Sequence, residues 1–283
     1  MSRRTLLYLG VLVLVVANGT VWFIVAQSSS KTLTVTFLDV GQGDAIFIES
    51  PTGAQMLIDG GPDRGLLRPL SRAAGILDRS IDVVIATHPD KDHIAGLVDV
   101  FKRYSIQKYI NSGLTGDTSY ALALKAAAET EKGITSIQAK RGTRIHLGGG
   151  VYADVLYPDR SMEGAETNAA SVIVRVVYGS TEFLLSGDAP DEVENYLVSI
   201  DGVRLKSDVL KAGHHGSNTS TSAAWLAAVD PGYVVVSAGK DNSYGHPHEE
   251  VVSRIGASGA KMLSTASEGT ITFESDGVTL KQK

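Results

Sequence analysis

The chain has 283 residues, of which 43% are hydrophobic and 20% charged, a composition that excludes fibrous, collagen-like and wholly disordered proteins and supplies one large core or two small ones. Its formal net charge of −5 at pH 7 argues against a broad basic face that coats nucleic acid, so any contact with DNA must depend on a local attraction. The absence of cysteine excludes disulfides, cysteine nucleophiles and thiolate zinc sites, so a bound transition metal must be held by His, Asp, Glu or Asn.

An uncharged apolar run opens the chain. It covers 22 residues from Thr5 to Ala26, directly after Arg3 and Arg4. A helix of that length, at about 1.5 Å per residue, covers the roughly 30 Å hydrocarbon core of a bilayer. The two leading arginines predict a single-pass anchor in the cell membrane, with the N-terminus in the cytoplasm and the rest of the chain outside it. The alternatives are a cleaved signal peptide, which would leave a secreted protein, and a buried core helix.

The remaining sequence is predicted to be one domain over residues 31–283, because it has no internal repeat or long linker. Residues 1–30 are predicted to be the anchor and a short linker, which ends in the polar spacer Gln27–Ser30. The first predicted strands are separated by glycine-rich turns and form an antiparallel unit; they are Leu33–Leu38, Ala45–Glu49 and Gln55–Ile58.

Strands and helices follow in alternation. A helix is predicted over Arg64–Leu77 and a buried strand over Ile81–Ala86. Further predicted strands are Gln107–Ile110, Val151–Leu156, Ser171–Tyr178, Glu182–Leu185, Asp208–Lys211 and Tyr233–Ser237, and further predicted helices are Tyr120–Lys132, Asp191–Ser199, Ser222–Val229 and Pro247–Ile255. This pattern indicates a layered α/β fold in which two packed sheets carry helices on the outside.

The densest group of metal-ligand side chains follows the buried strand Ile81–Ala86. His88, Asp90, Asp92 and His93 lie within six residues, at a turn between that strand and an apolar stretch of helical character. Side chains on such a turn converge on one point. A solvated charged loop is the alternative interpretation, but the two flanking histidines favour a metal site.

Further candidates lie at the ends of later predicted strands. Asp188 follows an apolar strand, where an aspartate also commonly caps the next helix. His214 and His215 are adjacent and have small residues on both sides, which leaves room for a metal or a substrate. His246 and His248 lie in a turn before a helix, and the alternative for His248 is a helix-start residue only.

Six runs of residues occur in a characteristic order: Phe37–Ala45, Leu57–Gly61, His88–His93, Ser186–Asp188, Lys211–Ser217 and Tyr244–His248. Together they resemble the metallo-β-lactamase-fold domain of the ComEC/Rec2 family of competence DNA-uptake proteins. The resemblance covers nearly all of the chain from about residue 33 and implies an α/β fold of the metallo-β-lactamase type, an αββα four-layer sandwich, here preceded by one transmembrane helix. Because one apolar segment cannot form a polytopic pore, we expect a stand-alone, single-pass relative rather than the channel.

The resemblance also implies a site for two divalent metal ions, Zn or Mn. The implied metal ligands are His88, Asp90, Asp92, His93, Asp188 and His214. Asp188 matches the carboxylate that bridges the two ions, and His214 is preferred to His215 because it comes first after the strand. Asp90 stands where the superfamily more often has histidine. A carboxylate oxygen is a harder ligand than an imidazole nitrogen, so manganese competes with zinc for this site.

Other residues receive supporting roles from the same resemblance. Asp92, His246 and His215 are the expected catalytic residues; His246, together with His215 or His248, is expected to protonate a leaving oxygen or bind a phosphate. The residues expected to orient ligands or contact substrate are Asp59, Asn168, Ser217 and His248. Asp59 matches the carboxylate that orients the metal loop, and Asn168 is either a weak ligand or a substrate contact. Ser217 is either a phosphate contact or part of a polar loop.

These expectations converge on a metal-dependent hydrolase, most specifically a phosphodiesterase or nuclease that acts on DNA outside the cytoplasmic membrane. Two ions lower the pKa of a bridging water and stabilise the entering and leaving oxygens, and three carboxylates against two divalent ions leave one positive charge for a phosphodiester. DNA-uptake components are the expected partners. The alternatives are a hydrolase of another ester or cell-envelope phosphodiester, or a non-catalytic DNA-binding module. The 6% of aromatic residues show no evident base-stacking ladder.

Overall fold

The computed structural model describes residues 2–28 and 32–283. The first range is one helix, α1 (Arg3–Ser28), so Gln27 and Ser28 of the predicted spacer are helical, and the rest of that spacer lies outside the described residues. From Ser2 to Trp22 every side chain is exposed. The segment Arg3–Trp22 has a mean hydropathy of 1.9, so by length and composition it is able to cross a membrane.

The other described range contains strands and helices in the alternation that the sequence predicts. The strands are β1 (Leu33–Phe37), β2 (Ile46–Glu49), β3 (Gln55–Ile58), β4 (Ser80–Ala86), β5 (Ser105–Asn111), β6 (Thr135–Gln138), β7 (Arg144–Gly148), β8 (Val151–Tyr157), β9 (Ile173–Tyr178), β10 (Thr181–Leu185), β11 (Val209–Lys211), β12 (Tyr233–Val236), β13 (Lys261–Ser264), β14 (Ile271–Ser275) and β15 (Leu280–Gln282). The helices are α2 (Leu67–Ala73), α3 (Lys91–Ile94), α4 (Leu97–Phe101), α5 (Ser119–Thr130), α6 (Asp191–Asp201), α7 (Ala223–Val229), α8 (Glu249–Ser258) and α9 (Thr265–Glu268). Short 3-10 turns cover Arg64–Leu66, Asn168–Ala170, Gly202–Leu205 and Gly213–Gly216.

Two sheets pack face to face. The first has the strand order β15-β14-β1-β2-β3-β4-β5-β6, and the second β13-β12-β11-β10-β9-β8-β7. Apolar side chains from both sheets fill the space between them; there the ring of Phe273 meets Phe37 at 6.1 Å and Phe183 at 6.0 Å between centroids, both edge to face. Such edge-to-face pairs are the favoured aromatic geometry in a core.

Helices cover the outer face of each sheet. Leu70 of α2, Leu97 of α4 and Leu124 of α5 lie in the apolar cluster outside the first sheet. Leu197 of α6 and Trp225 of α7 lie in the corresponding cluster outside the second sheet. Because each sheet is buried on both faces, its central strands are rich in apolar residues. The four layers follow the order helix, sheet, sheet, helix, and the predicted αββα sandwich is confirmed.

Both sheets contain a parallel half, and this arrangement positions the candidate site. β3, β4, β5 and β6 run parallel in the first sheet, as do β10, β11, β12 and β13 in the second. The carboxyl ends of parallel strands meet at one edge of a sheet, where α/β proteins place their ligands. The polar loops that follow β4, β10 and β11 all begin at such an edge.

Candidate metal centre

Asp59 anchors the loop that follows β4. It lies directly after β3 with a left-handed φ of +58° and is buried. Its Oδ1 accepts a hydrogen bond from the Thr87 backbone N–H at 2.8 Å, and its Oδ2 accepts from Thr87 Oγ1 at 2.7 Å and from His93 Nδ1 at 2.8 Å. Burial raises the pKa of Asp59 although His93 opposes this effect. One carboxylate thus fixes both ends of the loop, and the Nε2 of His93 is left to face the other way.

Four ligand atoms converge at the centre of the candidate site. The Nε2 atoms of His93 and His215 are 3.3 Å apart. Asp188 Oδ2 lies 3.2 Å from each of them, and Asp92 Oδ2 lies 3.2 Å from His215 Nε2. The other nitrogen of His215, Nδ1, is 2.9 Å from the carbonyl oxygen of Ser237. Ligands of one tetrahedral ion with bonds of roughly 2.0–2.1 Å are about 3.3 Å apart, so the three mutually close atoms of His93, His215 and Asp188 fit a divalent cation, with Asp92 beside His215.

The protonation preferences of these groups reflect their close approach. Burial alone would lower the pKa of His93 and of His215, but Asp188 together with Asp59 or Asp44 raises both pKa values well above the usual histidine range. Burial alone would raise the pKa of Asp92, yet the hydrogen bond with His215 and the charge of His93 lower it to about 2. The carboxylates are therefore ionised and attract positive charge to this point, which a metal cation also supplies.

His88 contributes a buried nitrogen that has no hydrogen-bond partner. Its Nδ1 lies 3.0 Å from Thr87 Oγ1, whose own proton is donated to Asp59, so His88 donates through Nδ1 and keeps the lone pair on Nε2. Burial holds the pKa of His88 well below its usual range. Within the described part of the chain its buried Nε2 is unpartnered and lies 3.7 Å from Asp90 Oδ2. An unpaired buried lone pair beside a carboxylate fits a second cation.

A buried ion pair lies beside the four ligand atoms. The ammonium group of Lys211 contacts Asp44 Oδ2, lies 3.2 Å from Asp188 Oδ1 and donates to the carbonyl oxygen of Gly187 at 2.9 Å. Burial opposes protonation, but the two carboxylates raise the pKa of Lys211. Asp44 also belongs to a group with His93, Asp188 and His215 whose ligand atoms lie within 4.8 Å of one another.

The sequence interpretation assigned no role to Asp44 or Lys211, although both lie in runs that carried the family resemblance. Two features of the sequence point to these residues: Asp44 is an acidic residue directly after a glycine-rich turn, and Lys211 is a lysine at the end of an apolar strand. Gly43 explains how Asp44 reaches the site: a Cβ there would lie 2.2 Å from the carbonyl oxygen of Asp92, and its φ is +137°. This close approach lets the Asp44 N–H donate to Asp92 O at 3.2 Å, which only glycine permits at position 43.

The adjacent histidines after β11 occupy different positions. His214 and His215 both have left-handed φ angles, +48° and +55°, so their side chains diverge. His215 is buried in the group of four ligand atoms, whereas His214 is partly exposed, with its Nε2 at 3.9 Å from Asp188 Oδ2 and its Nδ1 at 3.1 Å from Thr219 Oγ1. The geometry therefore favours His215 as the late histidine ligand and reverses the preference for His214 that the order in the sequence suggested.

Three of the remaining predicted residues lie at the margin of the site. The Oδ1 of Asn168 is buried and has no partner among the described residues. Ser217 Oγ is 3.1 Å from Thr219 Oγ1, and His248 Nδ1 accepts from the Asn218 N–H at 3.0 Å. Ser217 and His248 thus organise the loop that carries the adjacent histidines, and Asn168 presents a free carbonyl oxygen, an acceptor suited to a cation.

His246 lies against both of those histidines. Its ring centroid is 5.6 Å from that of His214 and 6.4 Å from that of His215, and the second pair of rings is nearly parallel. Burial and the neighbouring histidines lower the pKa of His246 to about 4. The imidazole is therefore neutral at pH 7 and presents one lone pair.

Residues 38–240 match the Metallo-beta-lactamase superfamily, and the chain belongs to this superfamily, whose fold binds divalent metals, typically two. Within it, the chain is similar to competence proteins: it is 29% identical over 257 residues to ComE operon protein 3 of Bacillus subtilis and 32% identical over 244 residues to Competence protein ComA of Neisseria gonorrhoeae. It is also 30% identical over 266 residues to Recombination protein 2 of Haemophilus influenzae. These alignments cover 84%, 84% and 90% of this chain and 32%, 32% and 31% of the relatives, so the chain spans about a third of their length.

Solved structures support the same fold. The diiron β-hydroxylase CmlA of Streptomyces venezuelae superimposes with a TM-score of 0.55 at 14% identity, over 85% of this chain and 53% of that one. Zn²⁺-bound PqqB of Methylobacterium extorquens gives a TM-score of 0.53 at 13% identity, over 81% of this chain and 87% of that one. At such low identity the likeness establishes the fold alone.

Proposed function

We propose that this chain is a metal-dependent phosphodiesterase that hydrolyses DNA with two divalent ions, Zn or Mn. The observation that carries the proposal is the meeting of His93, His215 and Asp188 at mutual separations of 3.2–3.3 Å, with Asp92 Oδ2 3.2 Å from His215 Nε2. Beside them lies the Nε2 of His88, which has no hydrogen-bond partner among the described residues. Ionisable groups whose pKa values are strongly shifted collect at catalytic sites, which favours an enzyme over a binding module.

The two ions would be held by different parts of the loops. His88 and Asp90 would hold one of them, with the buried carbonyl oxygen of Asn168 as a weaker ligand. His93, His215 and Asp92 would hold the other. Asp188 would be shared, because it lies at the end of β10 between the two groups. Bound there, the ions would activate a water molecule and neutralise charge on the phosphate.

The protein's own residues fix this arrangement before any substrate binds. Asp59 and Thr87 hold His93 and His88 with their Nε2 atoms directed into the site. Lys211 engages Asp188 Oδ1 and so leaves Oδ2 for the centre. Neutral His246 lies beside His215 and would accept or relay a proton there. Such prior orientation reduces the reorganisation that the reaction requires.

Local positive charge supports a polyanionic substrate despite the net charge of the chain. Arg64, Arg68 and Arg72 are exposed at intervals of four residues, from the 3-10 turn into α2. Within the ranges that the structure describes, none of the three lies within ion-pair distance of a carboxylate. Exposed arginines attract phosphate groups. The names of the related proteins, which refer to competence and recombination, support DNA as the polyanion.

We also propose the location of this activity. Residues 5–26 would anchor the chain in the cytoplasmic membrane, with the N-terminus inside, and the domain of residues 31–283 would act on the outer side, next to DNA-uptake components. The apolar helix α1, which begins with Arg3 and Arg4, supports this orientation.

The test is hydrolysis by the purified full chain in detergent with added Mn²⁺ or Zn²⁺. Single-stranded DNA, double-stranded DNA and bis(p-nitrophenyl) phosphate are compared, with Asp92→Asn as the inactive variant. The matched control is Asp154→Asn, which removes a β8 carboxylate paired with Arg144 of the edge strand β7. We expect DNA cleavage that Asp92→Asn loses and Asp154→Asn keeps. Cleavage of the small diester without DNA would replace DNA by another phosphodiester, and metal binding without any cleavage would refute the enzymatic proposal.

A further inference from the structure

Tyr244 presents a large aromatic surface to solvent beside the candidate metal centre. Its side chain is 64% exposed. One face of its ring stacks on His246, with the centroids 5.6 Å apart and the planes at 24°. Because the contact uses one face and most of the side chain remains exposed, the opposite face is open for another planar ring.

The stack continues from Tyr244 to the site itself. The next ring, His246, lies nearly parallel to His215, with centroids 6.4 Å apart and planes at 30°, and the Nε2 of His215 lies within the group of four ligand atoms. Tyr244, His246 and His215 therefore form a series of rings, called here the ring stack, that leads from solvent to the group of four ligand atoms.

The loop that carries the ring stack is held rigidly by side-chain hydrogen bonds. Asn242 Oδ1 accepts from the backbone N–H groups of Tyr244 at 3.2 Å and His246 at 2.9 Å. Its Nδ2 donates to the carbonyl oxygens of Gly239 at 2.8 Å and His246 at 2.6 Å. The ring of His248 packs edge-on against His246, with the centroids 4.9 Å apart. A platform fixed in this way loses little conformational freedom when a ligand binds.

We propose that the open face of Tyr244 is a stacking subsite for the nucleobase next to the phosphodiester that is cleaved. This inference rests on the proposed function and adds a base-binding element to it. Every nucleobase has a π-face, so stacking on one aromatic ring binds single-stranded DNA without sequence preference. A single rigid platform at the site serves this purpose without a ladder of aromatic residues along the surface.

The experiment measures stacking directly and not only activity. The full chain in detergent, with Mn²⁺, is titrated with a short phosphorothioate oligonucleotide that contains 2-aminopurine, whose fluorescence falls when it stacks, and with a matched oligonucleotide that lacks the bases. The proteins are the unchanged chain, Tyr244→Phe, Tyr244→Leu and the control Tyr152→Leu, which removes a tyrosine of β8 that lies under Arg144. The hydrogen bonds of Asn242 to the loop use backbone groups, so they persist in the Tyr244 variants.

We expect quenching and tight binding for the unchanged chain, Tyr244→Phe and Tyr152→Leu. For Tyr244→Leu we expect no quenching and binding of the base-containing oligonucleotide weakened roughly tenfold or more, with equal affinity of all four proteins for the abasic one. Unchanged quenching in Tyr244→Leu, or an equal loss of affinity for the abasic oligonucleotide, would overturn the subsite even if DNA cleavage is intact. A chain that neither binds nor cleaves any oligonucleotide would instead overturn the proposed function, and the subsite with it.

Discussion

The ammonium group of Lys211 is buried against the carboxylate of Asp44, and the same ammonium group lies 3.2 Å from Asp188 Oδ1. Asp188 therefore uses Oδ1 for the lysine and keeps Oδ2 for the centre, whereas the second oxygen of Asp44, Oδ1, lies 3.4 Å from His215 Nδ1. The ammonium group of Lys211 is a fixed positive charge next to the proposed metal ions, so it affects both the stability of the fold and the charge of the site.

Replacement of Lys211 by methionine should destabilise the metal-free protein. The change leaves Asp44 and Asp188 buried without their cation, and loss of one partner of a buried pair costs about 3–5 kcal/mol. Chemical unfolding in EDTA measures this loss, and repetition with Mn²⁺ should show a smaller difference, because a divalent cation replaces the missing charge. A variant as stable as the unchanged chain in EDTA would contradict the ion pair.

Replacement of Asp59 by asparagine should weaken metal binding without removing a ligand. Asp59 accepts hydrogen bonds from Thr87 and His93 through both of its oxygens, so the amide fixes the loop less well. Loss of such an outer contact typically costs roughly 10–100-fold in metal affinity. Equilibrium titration with Zn²⁺ against a chelating dye measures the change, with Asp154→Asn as the control. Equal affinities of the two variants would exclude an orienting role for Asp59.

Replacement of Asp188 by asparagine should abolish turnover while the fold remains. The carboxylate is the proposed shared ligand, and we expect kcat to fall roughly 10³-fold, the range observed when a group that stabilises the transition state is lost. Metal content by elemental analysis should fall in parallel, and circular dichroism should stay unchanged. Full activity in this variant would refute the two-ion mechanism.

The pair of adjacent histidines allows a discriminating comparison. His215 belongs to the group of four ligand atoms, whereas His214 lies at its edge. His215→Ala should therefore lose metal affinity and activity together, and His214→Ala should keep its metal content. The reverse order of effects on bound metal would restore His214 as the ligand.

Glu194 of α6 should make stability depend on pH outside the metal centre. It is buried and accepts from the N–H groups of Thr221 and Ser222 at 2.6 and 2.8 Å. Burial, with a contribution from Asp191, raises its pKa from 4.5 to about 7 despite those hydrogen bonds. Between pH 4.5 and about pH 7 the folded protein keeps a proton on Glu194 that the unfolded chain has lost. The free energy of unfolding therefore falls as the pH rises through this interval, by about 3 kcal/mol from one end to the other.

The Glu194→Gln variant isolates this effect, because its amide does not titrate. The difference in unfolding free energy between the unchanged chain and the variant should decline from pH 4.5 to pH 7 and stay constant above that range. Urea unfolding of both proteins across this interval measures the difference. A difference that does not vary with pH would mean that Glu194 is ionised throughout.

The sequence alone determined those features that depend on local pattern. The strand Gln55–Ile58 was predicted with its observed bounds, because its apolar residues lie between two glycine-containing turns. The loop from His88 to His93 was predicted as a site, since its ligand types are dense and follow a buried strand. The short edge strands Thr135–Gln138 and Leu280–Gln282 were not predicted. Their residues are partly or fully exposed, so the sequence there lacks the apolar alternation that indicates a strand.

The tertiary structure alone decided features that depend on long-range contact or on special backbone angles. The predicted helix Arg64–Leu77 is a 3-10 turn followed by α2, which ends at Ala73; Gly75 follows with a φ of +95°, an angle that is incompatible with a continued α-helix. The choice between His214 and His215 depends on two consecutive left-handed residues, which no side-chain pattern reveals.

The pairing of Asp44 with Lys211 joins β1–β2 of one sheet to β11 of the other, and it exists only because the two sheets pack face to face. Sequence reasoning identified the ligand types and the loops that carry them, because metal chemistry restricts residue type and strand ends restrict position. Packing of the two sheets decided which atoms meet, since a separation of 3.2 Å depends on backbone angles and distant contacts that a linear pattern does not contain.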